Sequence, residues 1–594
     1  MACGIALAFM SCENQKFNDT FVDSERVHVD TLSTELQKVR DYVPQYAVVA
    51  HRGSTYWTPE ETEAAYRWAR EMGADYLEAD LQVSKDGVIL ALHDTDLKRT
   101  TNIEDVFGER FPEKTRREYY KLLNYSAQKI DSLISADKKA FVPNYPCSYT
   151  YYELMLLDAG TWFNQDAASQ EQARKGFSTN HQYISTLQDL IMYSKGYKLE
   201  RYNGDDQASG HVNIWGSATN NERVVKTMVV TNEEFSNPVN FGVKDKVVRY
   251  EFGYIKDAEG NSGNTPGIYI EFKEPWLNPS NFEQMVYDEL QMKNVTGFQE
   301  KLNMNIIAGG EEAENTPFYV NGKINVGNTN GKVILQTFSL QSLTRVCDLF
   351  KGQVPMCFLL WKGTGATDLA YDDPQGYASF INLGVKYKAH YIGPCISGAP
   401  NNYPELNYPW QHNLIHRAKM KNHPYSFDTY DQMAKYFGQY NWGNEGGSRY
   451  EAPYLDAFFT NHTDMSLQYM VDFGYRKSPA PTEIPDAREV LEKLGYDNVF
   501  IGTVEGEPEE TACENVIAAV KEAGYTKVIL RPLMVVAGDH ANNDMAGDEE
   551  DSWKSVLNKE GYETECVLEG LGQIPAIREL YVQHTKAAMD SLAR

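Results

Sequence analysis

The sequence predicts an α/β protein: a TIM (β/α)8 barrel carrying two insertions, followed by a small α/β half-domain. Three observations predict it. Short apolar runs alternate with helical segments from residue 46 onward, the rhythm of strand–helix units in a parallel sheet. Six or more such units fall within roughly 400 residues, which suits a barrel interrupted by extra loops. A Pro-dense polar segment at 476–487 then separates a second, shorter alternation.

At 594 residues the chain is too long for one ordinary domain. Its 42% hydrophobic and 23% charged residues are those of a globular protein. A net charge of -27 repels nucleic-acid backbones and argues against polyanion binding. A protein this acidic needs a local cation to handle a phosphate ester, and a divalent metal held by carboxylates would supply one. The eight cysteines (3, 12, 147, 347, 357, 395, 513 and 566) contain no CxxC pair, which argues against a disulfide framework or a zinc ribbon. No apolar run is long enough to span a bilayer.

Taken in order, Gly4–Met10 is a short apolar stretch ending at Ser11-Cys12, like the end of a bacterial lipoprotein signal without its positive start. It predicts a periplasmic or outer-surface protein lipid-anchored to a membrane through Cys12; a frayed terminus is the alternative and leaves the chain cytoplasmic. Residues 17–45 read as a polar lead-in with one helix at about 30–41. The strand Ala47–Ala50 precedes a helix at Glu60–Met72, whose expected apolar face is Ala64, Ala65, Trp68 and Met72. Pro59-Glu60 reads as its start. Strands follow at Tyr76–Val83 and Val88–Leu92, and later at Ile268–Phe272, Lys332–Phe338, Met356–Trp361, His390–Ile392 and Ala457–Thr460. Residues 103–150, rich in Tyr and Lys, read as a helical insertion. Residues 200–265 read as a second, with strand pieces at Val224–Val230 and Lys246–Tyr254. Beyond the linker, strands at Asn498–Val504, Lys527–Val536 and Glu565–Leu568 alternate with helices near 511–524, 549–560 and 574–593.

The chemistry gathers at strand ends. His51 follows the first strand, and His93 follows the run at Val88–Leu92. Glu78 and Asp80 are spaced i, i+2 in a strand and share a face. A lone histidine at a strand end is most often structural, but two bracketing a Glu-x-Asp pair point to an acid and a base beside a metal. Hard oxygen donors suit Ca²⁺ or Mg²⁺. Lys273 lies two residues after Glu271, and Arg52 is next to His51; either cation could neutralise a phosphoryl oxygen. Trp162 and Phe163 read as packing residues.

The ordered motifs resemble a known family. His51-Arg52-Gly53, Pro59-Glu60-Glu61-Thr62, Gly73 to Asp80, Ser84-Lys85-Asp86-Gly87, His93-Asp94, Leu97 to Thr101, Leu157 to Phe163 and Ile270-Glu271-Phe272-Lys273 together resemble the glycerophosphodiester phosphodiesterase family. Coverage runs over roughly 46–475, broken by the two insertions. The resemblance implies a TIM barrel in which Glu78, Asp80 and Glu271 hold a divalent cation, while His51 and His93 serve as the acid–base pair, with the sequence leaving open which ring is base and which is acid. It implies in-line displacement at phosphorus: a glycerol hydroxyl attacks to give a cyclic phosphate, the leaving alcohol is protonated, and water opens the ring. Departures are Glu61 where the family usually has Asn, Ser185 where it has Pro, Tyr425 to Thr429 at a strand end, and Asn461 where it has Asp.

The segment from about 488 to 594 is similar to the second half of an anaerobic sirohydrochlorin cobaltochelatase, through Phe500 to Gly506, Pro532 to Gly547 and Asp551 to Lys554. That resemblance implies a second metal site at Glu505 and His540, taking Co²⁺, but no Gly-His-Gly-Thr segment supplies the third ligand. Dimerisation into a homo-oligomer is one way to bring two halves together. The expected function is thus metal-dependent hydrolysis of glycerophosphodiesters to glycerol 3-phosphate and an alcohol. The alternatives are a non-catalytic binding protein, or a bifunctional one whose tail binds cobalt or a tetrapyrrole.

Overall fold

A computed structural model describes residues 23–163, 181–202, 222–231, 246–257, 262–291, 304, 306, 319–320, 323–324, 326–362, 369–440, 442, 450–476, 498–504, 506, 509–534, 536–575, 577–578 and 582. The chain divides into two compact units, Met1–Ser478 and Pro479–Arg594. Cys12, Glu505 and most of the 477–497 and 574–593 segments lie outside the described residues.

The first unit is built on strands β1 (Ala47–Ala50), β2 (Tyr76–Val83), β3 (Gly267–Phe272), β4 (Val333–Thr337), β5 (Met356–Leu360), β6 (Tyr391–Pro394), β7 (Lys421–Asn422) and β8 (Ala457–Thr460). From β1 to β7 each strand pairs in parallel with the next in chain order, and β1 also pairs in parallel with β8. Between β7 and β8 the ring is drawn shut by single bonds, Asp456 N to Asn422 O at 2.8 Å and Phe427 N to Phe459 O at 2.8 Å. The expected (β/α)8 barrel with two insertions is borne out. Both faces of its strands are buried, so they carry near-continuous apolar residues.

Alternation sorts those residues. Ala47, Val49, Tyr76, Tyr269, Ile334, Cys357, Leu359, Tyr391, Ala457 and Phe459 point inward and form a cluster of their own. Leu77, Ala79, Leu81, Ile268, Ile270 and Phe272 point outward into the larger core under the helices. The next inward positions along β1, β2, β3 and β8 are His51, Glu78, Glu271 and Asn461. Apolar residues thus fill the lower barrel and polar ones its C-terminal mouth.

Three expectations need correction. The run Val88–Leu92 is not a barrel strand: Ile89–Ala91 pairs antiparallel with β2 through a turn at Gly87, whose φ is +87°. The helix near Glu60 begins later, at Glu63, where the Thr62 side chain caps Ala65 N, and it ends at Gly73. Its inner face is Ala65, Tyr66 and Ala69 with Arg70, while Trp68 is 43% exposed. Arg70 goes inside because the Tyr193 carbonyl and the Asp257 carboxylate satisfy its guanidinium at 2.8 and 2.6 Å. In the second unit, Lys527–Leu530 and Glu563–Cys566 form a parallel pair, but Asn498–Val504 is no strand. It is held by loop contacts instead: Thr503 N bonds Thr511 O at 3.1 Å, and Gly502 presses on the Trp553 ring.

Both insertions join the main core. The first is helical, as expected, at Ile103–Val106, Glu113–Leu122 and Ala127–Ala140. The second forms an antiparallel hairpin of Val225–Thr231 with Lys246–Phe252. Tyr250 of that hairpin donates to Asp86 at 2.8 Å, tying it to the β2 turn. Arg476, expected in the linker, is buried and pairs with Asp75, which also accepts Val48 N at 2.7 Å. Replacing Asp75 by Ala would take the paired carboxylate away from a buried guanidinium. Denaturant unfolding of D75A is expected to show a loss of about 3 kcal/mol or more.

Candidate active site at the barrel mouth

Backbone shape delivers the first residues. After β1 the chain turns sharply, with Arg52 at φ +56° and Gly53 at +87°. A Cβ on Gly53 would lie 2.6 Å from Ala65, so only glycine lets the turn pack on the following helix. The turn aims Arg52 N at Glu78 Oε2, 2.7 Å away. Gln336 of β4 donates to Glu78 Oε1 at 3.0 Å.

Glu78, Asp80 and Glu271 meet as expected: one carboxylate oxygen from each lies within 4.8 Å of the others, all buried. Lys273 Nζ lies 3.6 Å from Asp80 Oδ1 and 3.7 Å from Glu271 Oε1. Arg52 Nε lies 3.2 Å from Asp80 Oδ2 as an ion pair, yet that oxygen makes no hydrogen bond among the described residues. Burial, then repulsion from Asp80, pushes Glu78 well above the usual carboxylate range. Burial raises Glu271 against the pull of Lys273. Asp80 is different: burial opposes its charge, but Lys273, His93 and Arg52 outweigh it and hold it ionised.

Glu61 adds a fourth buried carboxyl. Its Oε1 accepts Asp80 N at 2.9 Å, while its Oε2 has no hydrogen bond. Burial, then Asp80 and Glu78, push it well above the usual range. Against Glu61, Glu78, Asp80 and Glu271 the cluster sets two cations, Arg52 and Lys273. An acidic excess with an unbonded inward oxygen fits a hard divalent cation in chemistry and charge.

The two imidazoles flank this cluster and are held differently. His51 Nδ1 lies 2.7 Å from Asn461 Oδ1, which also accepts the Thr55 hydroxyl at 2.9 Å. The Asn461 amide nitrogen donates to Asp428, so Nδ1 of His51 carries the proton and Nε2 keeps its lone pair. Burial, then Arg52, brings His51 down to about 3. His93 Nδ1 lies 2.7 Å from Asp94 Oδ1. Burial and Arg52 lower His93 as well, with Asp80 and Asp94 pulling the other way.

Several participants were not assigned a role from sequence. Glu60, expected only as a helix start, bonds Arg99 at 2.6 Å and Arg52 at 3.3 Å, beside His93 and Asp94. Arg99 also pairs with Asp94 and lies 5.6 Å from the Trp162 ring, which therefore borders the site instead of only packing. Asn461 was visible only as a departure, although its i+2 spacing from inward Phe459 marks its direction. In the second unit, His540 is exposed and bonds Asp544 at 2.5 Å. Among the described residues no three-ligand group forms around it.

The neutral amide on His51 has a measurable consequence. Asn461→Asp would place a carboxylate on Nδ1, favour the imidazolium, and raise the His51 pKa from about 3. Histidine NMR titration of the variant is expected to show the upward shift.

Comparison with known proteins supports two family assignments. Residues 51–248 match the model of the Glycerophosphoryl diester phosphodiesterase family, and residues 476–590 that of Cobalt chelatase (CbiK). The sirohydrochlorin cobaltochelatase of Salmonella typhimurium is 46% identical over 90 residues, 15% of this chain and 33% of that protein. The glycerophosphoinositol inositolphosphodiesterase of Mus musculus is 35% identical over 168 residues, 28% of this chain and 25% of that protein. The chain thus spans a third or less of the length of these curated relatives. Among solved structures, an Oleispira antarctica phosphodiesterase in complex with the product sn-glycerol-3-phosphate is 13% identical, covering 72% of this chain and 97% of that one at a TM-score of 0.35. A glycerophosphodiester phosphodiesterase from Agrobacterium tumefaciens is 13% identical, covering 71% and 99% at 0.34. Both resemblances read from the motifs are borne out: this chain carries a segment that matches the glycerophosphoryl diester phosphodiesterase family model and, after it, one that matches the cobalt chelatase model.

Proposed function

We propose that the first unit hydrolyses glycerophosphodiesters to glycerol 3-phosphate and an alcohol. The observation that carries this is a pair of imidazoles, each oriented through Nδ1 and each within electrostatic reach of Asp80, beside three converging carboxylates. Glu78, Asp80 and Glu271 would hold Ca²⁺ or Mg²⁺, which when bound supplies charge to a phosphoryl oxygen and acidifies a hydroxyl. His51 takes the proton of the attacking hydroxyl through Nε2, since burial and Arg52 keep it neutral and Asn461 holds its proton on Nδ1. His93 gives a proton to the leaving alcohol, since the Asp94 carboxylate favours its charged form. Arg52 and Lys273 face the same carboxylates and bind the phosphodiester anion. The Bacillus subtilis and mouse relatives named for such reactions support this substrate class.

For the second unit we propose that it binds cobalt or a tetrapyrrole, on the strength of its 46% identity to a cobaltochelatase segment. Sirohydrochlorin and Co²⁺ added to the full chain are expected to change the tetrapyrrole absorbance, and less so in His540→Ala. Anchoring through a lipidated Cys12 is proposed from the apolar run alone. Membrane fractionation of Cys12→Ser beside the unaltered chain tests it.

Release of glycerol 3-phosphate from glycerophosphodiesters is expected to stop with EDTA and return with Ca²⁺ or Mg²⁺. His51→Ala and His93→Ala are each expected to lower kcat by about 10²- to 10⁴-fold. No release under either metal would leave a binding protein. Because Glu78 and Glu271 titrate above the usual range without metal, protons compete with the cation. Affinity is expected to fall as pH falls, with proton release on binding, as read by calorimetry in buffers of different ionisation enthalpy.

A further inference from the structure

The opposite end of the barrel holds a different set of donors. The helix Pro409–Arg417 follows β6 and presents His412 and His416 four residues apart on one face. Their ring centroids are 4.0 Å apart. Asp456 sits just before β8, with its Oδ2 2.7 Å from His416 Nε2 and its Oδ1 accepting the Gln45 amide at 2.8 Å. One ligand atom from each of the three lies within 4.8 Å of the others. Asp456 and Asn461 lie at opposite ends of β8, five residues or about 16 Å apart along an extended strand, so this cluster is remote from His51.

We propose that His412, His416 and Asp456 form a divalent-metal site of zinc type that staples this helix to the base of β8. Two imidazoles and one carboxylate are a nitrogen-rich set, suited to Zn²⁺ rather than Ca²⁺ or Mg²⁺. His412 is buried, and Asn422 Nδ2 approaches its Nδ1 at 2.9 Å. That amide also bonds Asn407 Oδ1 at 2.7 Å and the Tyr454 carbonyl at 3.1 Å, so it is itself held in place beside the ring. The His416 side chain is 44% exposed and gives the ion a way in. Tetrahedral Zn²⁺ sets its donors ~3.3 Å apart, so the His416–Asp456 contact opens by ~0.6 Å, and the hydrogen it shares is lost to solvent.

The test uses the full chain with Co²⁺ as a spectroscopic stand-in for Zn²⁺, in excess Mg²⁺ to occupy oxygen-only sites. The unaltered chain and His540→Ala are expected to show one equivalent of the strong visible absorption of tetrahedral Co²⁺. His416→Gln, which keeps a hydrogen-bond donor to Asp456 but removes the imidazole, is expected to lose that band while keeping the metal-free Tm. Zn²⁺ is expected to raise Tm in the unaltered chain and not in H416Q. A band and stoichiometry unchanged in H416Q, or no band in the unaltered chain, would overturn the proposal and leave a hydrogen-bonded pair.

Discussion

Like charges buried at close range are the constraint on which this molecule turns. Period-two alternation on β2 sends Glu78 and Asp80 to the inside of the barrel, and its pairing with β3 sets Glu271 beside Asp80. Such a cluster is unfavourable by itself in a low-dielectric interior. Everything around it answers that cost. Arg52 is swung inward by a left-handed turn, Lys273 extends from β3, and backbone or amide hydrogens reach Glu78 from Arg52 and Gln336. The apolar layers below, from Val49, Tyr76, Tyr269 and Phe459, exclude water and keep those interactions strong. What remains is an acidic excess opening toward the mouth, a place where a cation is stabilised.

Much of this was legible in the residues. The barrel strands show as apolar runs because parallel strands are buried on both sides, and the pair Glu78 and Asp80 shows because strand geometry has a period of two. The antiparallel arm at Ile89–Ala91 was not distinguishable from a parallel strand, since periodicity is blind to direction. The inner face of the helix Glu63–Met72 was misplaced because Arg70 looks like a surface residue until Asp257, far along the chain, is seen to meet it. The role of Glu60 was hidden in the same way: Pro59-Glu60 carries an ordinary helix-start pattern, and only the fold brings Arg99 to it. Local patterns reveal elements and faces; they do not reveal long-range partners.

The two ends of the barrel illustrate how one scaffold separates stability from chemistry. Near the N-terminal ends of the strands, Asp75 with Arg476 and Asp456 with Gln45 and Asn422 tie the ring together through buried carboxylates. At the C-terminal mouth the carboxylates are left with unbonded oxygens, Asp80 Oδ2 and Glu61 Oε2 among them. The insertions reinforce the first pattern. Arg116 pairs with Glu153 and Asp137, and Arg223 with Asp189, so the added segments are fastened by buried ion pairs.

The asymmetry of the two histidines follows from residues that sit far apart in the chain. His93 takes its carboxylate from the next residue, Asp94, so its partner travels with it. His51 meets Asn461, 410 positions away, and that amide stands between the ring and Asp428. Burial raises Asp428 to about 6, and the amide turns its oxygen to His51 and its nitrogen to Asp428. The carboxylate charge is thus relayed only as orientation: it fixes the amide, and the amide fixes the tautomer. A ring held by a neutral acceptor in a dry site gives up its proton easily, while one held by an ionised acceptor keeps it longer. Burial and Arg52 lower both imidazoles, and their different Nδ1 neighbours then pull them toward opposite roles.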